Sequence, residues 1–164
     1  MEEDVRLVNA FGDRASIVSE IMKTEEVFKN RLDRHGSSEV STLIIYNGKV
    51  AGFVNLVREK RNYEMFFLDM VILEEYRHKK LGKKVFELLQ SYNFKDPIIA
   101  ETKIDNIGAN KTAKEACIQI ATIDDRNIYL VQKERIKEFI DKGYMEKLAK
   151  HFEKDTDKKM IRII

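Results

Sequence analysis

Cys117 is the only cysteine in this chain. An internal disulfide is therefore excluded, and nothing in the cysteine usage argues against a reducing compartment. Proline is as scarce: Pro97 stands alone, in a stretch that reads as a turn. No uninterrupted apolar run approaches the ~20 residues a membrane-spanning helix needs. The opening MEEDVRLVNA is acidic and lacks the basic-then-apolar pattern of a secretory signal. The expectation is a cytoplasmic protein with no membrane partner. Charge of one sign is also missing. Lys and Arg number 30 against 28 Asp and Glu, a net of +2, so no global attraction to nucleic acid is implied. His35, His78 and His151 are scattered without ligand spacing, and no metal site is expected. Internal repeats and low-complexity tracts are absent.

What is present is an ordinary globular composition. The chain has 164 residues, 43% apolar and 35% charged. That is enough for one domain with a proper core and too little for two, so residues 1–164 are read as a single domain. The organising stretch runs from Phe66 to Tyr92, FFLDMVILEEYRHKKLGKKVFELLQSY. Its first part is almost continuously apolar, as in a strand buried on both faces. Glu74 to Lys80 reads as a turn. Leu81, Val85, Leu88, Leu89 and Tyr92 then recur at helical spacing. A helix that starts where a buried strand ends aims its free N–H groups beyond the strand, which makes an anion site. Arg77, His78, Lys79, Lys80, Lys83 and Lys84 surround that point. Basic side chains at a helix start oppose its dipole, a mild penalty that favours a phosphate ligand over decoration.

The run from Asp69 through Arg77 to Gly82 resembles the coenzyme A-binding motif of the GNAT superfamily of N-acetyltransferases. In that family a strand is followed by Arg/Gln-x-x-Gly-x-Gly/Ala at a helix start. Arg77 and Gly82 match, and Lys80 stands where the first glycine is preferred. The resemblance implies acetyl-CoA as co-substrate, held by Val71, Ile72, Leu73, Arg77, His78, Lys79, Lys80, Leu81, Gly82 and Lys83. It implies an α/β (α+β) fold: a mixed, mostly antiparallel central sheet flanked by helices, with a parallel strand pair splayed apart at the coenzyme site. Asn110 and Ala113 fit the family's Asn-x-x-Ala, which adds Asn110 to the coenzyme residues and puts Cys117 at the family's tyrosine position. Family members are often dimers, so a homodimer is a possible partner state.

The remaining chain fits that order. Val5 to Val8 reads as a first strand. Asp13 caps a helical stretch through Leu32, divided near Thr24 and ended by Gly36. Thr42 to Tyr46, the Asn47-Gly48 turn and Lys49 to Val57 form a hairpin. Arg58 to Asn62 is a polar turn, and Tyr63 to Leu73 the next strand. Ile98 to Lys103 is expected parallel to it, since a helix joins them. Helices are expected over Lys111 to Ile120 and Lys133 to Asp141. Asn127 to Val131 lies between them as strand or helix. Tyr144 to Phe152 and Lys159 to Ile164 are expected as a closing pair of strands.

Acetyl transfer to an amine needs a base, a stabilised oxyanion and a protonated leaving thiolate. Asp69 interrupts an apolar strand and is the first candidate base, because a buried charge wants a reason. Glu64 is second and Glu101 third. A backbone N–H near Val71 or Ile72 would meet the oxyanion. Cys117 is the candidate general acid, against the plainer reading of a buried thiol. The acceptor is a small-molecule or peptide amine. The alternative is a catalytically silent fold of this type that binds an acyl-CoA or a protein. A nucleic-acid module is disfavoured, because few aromatics interleave with the basic residues.

Overall fold

The computed structural model describes residues 4–10, 40–59, 62–154 and 157–164. The helical stretch expected from Asp13 to Leu32 lies outside them. Strand β1 is Val5–Asn9, β2 Val40–Tyr46, β3 Lys49–Glu59 and β4 Asn62–Ile72. A single 3-10 turn, Glu74–Tyr76, leads to helix α1, Leu81–Ser91. Then come β5, Ile98–Lys103, α2, Ile107–Ala116, β6, Ile118–Ile123, and β7, Arg126–Leu130. Helices α3, Ile136–Asp141, and α4, Tyr144–Glu153, precede a short β8, Ile161–Arg162.

These strands form one mixed sheet in the order β1-β2-β3-β4-β5-β7-β6-β8. β1 to β4 are an antiparallel meander. The β2–β3 turn works because Asn47 and Gly48 both take positive φ, at 48° and 82°, as a two-residue hairpin requires. β4 and β5 are parallel and pair at only two positions, Phe66 with Ile98 and Phe67 with Ile99. β4 runs on to Ile72 and β5 to Lys103 without further pairing. This is the splayed pair that the family resemblance implies.

Alternation along β4 sends its side chains to two cores. Phe66 packs with Leu81, Val85, Phe86 and Leu89 of α1 and Ala113 and Ala116 of α2. Met65 and Phe67 pack with Phe139 of α3 and Met145, Leu148 and Phe152 of α4. Gly82 lets α1 lie close to α2: a Cβ there would sit 3.0 Å from the Thr112 methyl.

The last third departs from the sequence reading. The helix expected over Lys111 to Ile120 ends at Ala116, and Ile118–Ile123 is a strand. Six residues, IQIATI, form a short buried apolar run that periodicity cannot assign. Tyr144–Glu153 is a helix, not a strand. Met145, Leu148 and Phe152 recur at helical spacing and are its buried side. Of Lys159 to Ile164, only Ile161–Arg162 is strand, paired to β6. The Arg58 to Asn62 turn is also shorter than expected, because β3 and β4 run through Glu59 and from Asn62.

Candidate active site

The site grows from the end of β4. Leu73 N–H donates to Ala51 O at 2.8 Å, the last rung to β3. Gly52 allows this closeness: a Cβ there would lie 1.9 Å from the Val71 carbonyl oxygen. The chain then folds back. Tyr76 N–H donates to Leu73 O at 2.8 Å and Arg77 N–H to Glu74 O at 3.1 Å. The Arg77 side chain returns as well, its Nε donating to Ile72 O at 2.9 Å. Tyr76 packs edge-on against Tyr46. Arg77 thus braces the turn.

His78 and Lys80 take positive φ, 68° and 59°. This explains the glycine preference at the Lys80 position: a left-handed residue is wanted, and glycine adopts it without a Cβ penalty. Lys80 keeps the backbone shape at a cost of roughly 1–2 kcal/mol. α1 starts immediately after, and its first internal bond runs from Lys84 N–H to Lys80 O. The N–H groups of Leu81, Gly82 and Lys83 precede that rung, so the helix itself offers them no carbonyl. His78, Lys79 and Lys80 are exposed around them, and Lys83 is half-buried.

The second part is the fork between β4 and β5. Phe66 N–H donates to Pro97 O. By strand alternation, the N–H and C=O groups of Leu68, Met70 and Ile72 also face β5, where β5 has moved away. Val71 turns its own toward β3, as its pairing with Phe53 places it between the β3-facing Leu73 and Asp69. A strand edge is therefore offered to the gap, ending at a helix N-terminus ringed by cations.

Comparison with known proteins agrees. The family model described as Acetyltransferase (GNAT) family matches residues 9–117, about two thirds of the chain. The chain belongs to the GNAT acetyltransferase family. It is thereby an acetyl-CoA-dependent acetyltransferase. None of the curated proteins compared with it matches. Among solved structures it resembles the ribosomal-protein-S18-alanine N-acetyltransferase from Escherichia coli: 15% identity, TM-score 0.56, covering 77% of this chain and 92% of that one. It also resembles the Campylobacter jejuni N-acetyltransferase PseH in complex with acetyl coenzyme A, with 13% identity, TM-score 0.53, and coverage of 77% and 97%. A spermidine N-acetyltransferase SpeG chimera from Vibrio cholerae matches at 16% identity, TM-score 0.55, and coverage of 80% and 99%. At these identities the likeness is one of fold.

Within this GNAT fold the candidate chemical residues separate. Asp69 is buried, on the sheet face opposite α1. It is the first residue of that face beyond the last β4–β5 pair, two past Phe67. Glu101 holds the equivalent place on the other arm, two past Ile99. Glu101 is ion-paired, accepting from Arg126 Nη1 at 2.7 Å. Glu64 lies near the far end of β4, some 16 Å of strand from Asp69 at ~3.3 Å per residue. Its exposed carboxylate pairs with Lys147 Nζ at 2.7 Å. The structure does not bring Glu64 to the fork.

Cys117 is not on a helix. It follows α2 in extended conformation, φ −120° and ψ −177°, and packs in the core beneath α1. Burial pushes its thiol up to about 12, with Lys133 pulling weakly the other way. A donor that weak would pass a proton uphill to a thiolate of ordinary basicity.

Asn110 is consumed inside the fold. Its Oδ1 accepts from Thr102 Oγ1 at 2.5 Å, Asn127 Nδ2 at 2.8 Å and the Tyr129 hydroxyl at 2.8 Å. Its Nδ2 donates to Lys103 O and Asn106 O, each at 2.8 Å. The side chain ties α2 to the end of β5 and to β7, and burial raises the pKa of its partner Tyr129. Sequence reasoning missed Tyr129 and also Asn55, which the register sets opposite Asp69. Only strand pairing reveals either.

No helix among the described residues is long and apolar enough to cross a membrane. Nor do they hold a group of three or more His, Cys, Asp or Glu side chains that could bind a metal.

Proposed function

We propose that this acetyltransferase moves the acetyl group of acetyl-CoA to a primary amine of a small molecule or peptide, with Asp69 as the base. The observation that carries this reading is the position of Asp69: a buried carboxylate at the mouth of the fork. Glu101 has the same register position on β5 and is ion-paired with Arg126. An ammonium has a pKa near 10.4, so the amine must lose a proton before its nitrogen can attack.

The scheme balances as follows. Asp69 takes the proton, directly or through water. The amine nitrogen bonds to the thioester carbon, and the carbon–sulfur bond breaks. The oxyanion is met by a backbone N–H facing the gap, and alternation favours Ile72 over Val71 for this. The nitrogen sheds its second proton to water as the amide forms, and water in turn protonates the leaving thiolate, since the raised pKa of Cys117 makes it a poor donor. The first N–H groups of α1, with His78, Lys79, Lys80 and Lys83, would hold the phosphates. Neighbours named for a ribosomal protein's alanine and for spermidine suggest peptide and polyamine acceptors as the first to try.

Thermal unfolding with acetyl-CoA, and with dephospho-CoA as control, tests the coenzyme half. Ligand at about 100 times its Kd adds roughly 2.7 kcal/mol, a rise of ~5–10 °C for a chain this size. A smaller rise with dephospho-CoA is expected. No shift at millimolar acetyl-CoA would overturn the reading. Release of free thiol in the presence of an amine panel tests the transfer half.

A further inference from the structure

On the sheet face that carries Asp69, β4 meets two apolar clusters. One takes Phe67 and packs it with α4. The other takes Val71 and packs it with Leu43 and Phe53. Asp69 stands between them. The border of the first cluster is the last turn of α4, and printed contacts place that turn on both arms of the fork. On the β4 arm, the His151 imidazole stacks on Phe67, with ring centroids 4.4 Å apart and planes at 21°. Phe67 is the last β4 residue paired with β5. On the β5 arm, the Arg126 guanidinium lies 5.8 Å from the Phe152 ring and holds Glu101 at 2.7 Å. α4 also advances toward the gap: Lys147 reaches Glu64, and one turn later His151 reaches Phe67.

The stack has a buried base and a reachable top. Phe67 is 8% exposed and Phe152 9%, while His151 is partly exposed. Phe152 meets the imidazole edge-on at 5.1 Å. Residues two apart on one face of a strand are separated by ~6.6 Å, so a ring laid on Phe67 borders the space over Asp69. Along β4 the flanks of Asp69 are then this ring and Val71. Both are surfaces that favour hydrocarbon.

We propose that His151 is a specificity-determining residue: its imidazole, laid on Phe67, is the wall against which the carbon chain of the acceptor lies while the amine nitrogen is at Asp69. The acceptor class is a primary amine on an uncharged alkyl chain. The acceptor's place rests on the acetyl-transfer reading above; the place of His151 on the fork does not.

The test uses the full chain with coenzyme A and a series of n-alkylamines from ethylamine to hexylamine. The three histidines serve as reporters, the His151 ring protons being assigned by their loss in His151→Phe. Those protons should show nuclear Overhauser contacts to the alkyl chain, and the His78 protons should show none. No contact to His151 at the highest soluble amine concentration overturns the proposal, even where acetyl-CoA is consumed.

Acetyl-CoA consumption is then followed across the same series. In the unsubstituted chain kcat/KM should rise about two- to fourfold per methylene, as apolar contact is added. His151→Ala should flatten that rise, raise the KM for hexylamine about tenfold, and leave the KM for acetyl-CoA unchanged. His151→Phe, which keeps the stacked ring, should keep the rise. If His151→Ala does not fold, His151→Gln takes its place, since it keeps bulk and loses the flat ring. Equal slopes with and without the ring, or a loss confined to the KM for acetyl-CoA, overturn the proposal. If the contacts form but no amine is acetylated, the wall stands as an amine-binding surface while the transfer reading falls.

Discussion

The two arms of the fork make a controlled comparison. β4 and β5 leave each other after the same pair of residues, and each carries a carboxylate two positions further on, on the same face. On β4 the neighbour across the strand is Asn55; beyond β5 it is Arg126, at 2.7 Å. One carboxylate stands in a row with Asn55 and Ser41, and the other is ion-paired with Arg126. Residue type and register do not make a base. What an acid can do is also set by the groups packed around it.

The largest expected effect tests that contrast directly. Asp69→Asn should cut turnover by about 10²–10⁴, the usual worth of a general base, and leave acetyl-CoA affinity unchanged in a titration. Glu101→Gln should change turnover less than about threefold. Equal losses in both would erase the distinction between the arms.

The arms are also supported differently. β4 is fixed by backbone closeness at Gly52, and the end of β5 by the Asn110 network. Gly52→Ala should destabilise the chain by about 3 kcal/mol, because its Cβ would strike the backbone at Val71 rather than a movable side chain. It should also weaken acetyl-CoA binding by displacing the end of β4. Asn110→Ala should cost about 2–3 kcal/mol, since Tyr129, Asn127 and Thr102 would lose a buried partner. Acetyl-CoA affinity should survive it. Denaturant melts with and without the coenzyme separate these outcomes.

Behind the fork, Cys117 predicts a pH effect. Its thiol is held near 12 in the folded chain, against 9.0 as the ordinary value. Above pH 9 the unfolded chain releases this proton and the folded chain keeps it, so stability should fall as pH rises. The slope should approach about 1.4 kcal/mol per pH unit between pH 9 and 12. Cys117→Ala should remove that slope in urea melts over this range. The smallest effect is at the turn. Lys80→Gly relieves a left-handed residue whose φ is 59°, offset by glycine's greater freedom when unfolded. It should change the thermal midpoint by no more than about 4 °C and tighten acetyl-CoA binding modestly.

The strand, turn and α1 were legible because each signal is local in sequence: an apolar run, a charged turn, a helical stripe, and Asn-Gly for the hairpin. The same holds for β5 after Pro97. The last third was misread where local signals conflict. IQIATI has too few residues to show a period, and YMEKLAKHFE carries a helical stripe that the expectation of a closing strand pair overrode. Asp69 stood out because it breaks an apolar run. Its setting did not, because the row through Asn55 and Ser41 exists only once three strands are in register. Asn110 matched the family pattern by spacing, yet its amide is spent within the fold, and spacing carries no information about that.

The two-rung join between β4 and β5 has a mechanical consequence. A crack in a plate is easiest to open at its tip, and here the tip lies at Phe67 and Ile99, with Asp69 just ahead of it. Only two rungs join the two leaves there, against full antiparallel ladders inside each leaf, so a small rotation of one leaf against the other would break few hydrogen bonds. Acceptors of different girth could be admitted without unfolding anything, and the carboxylate would remain at the place where the two leaves meet.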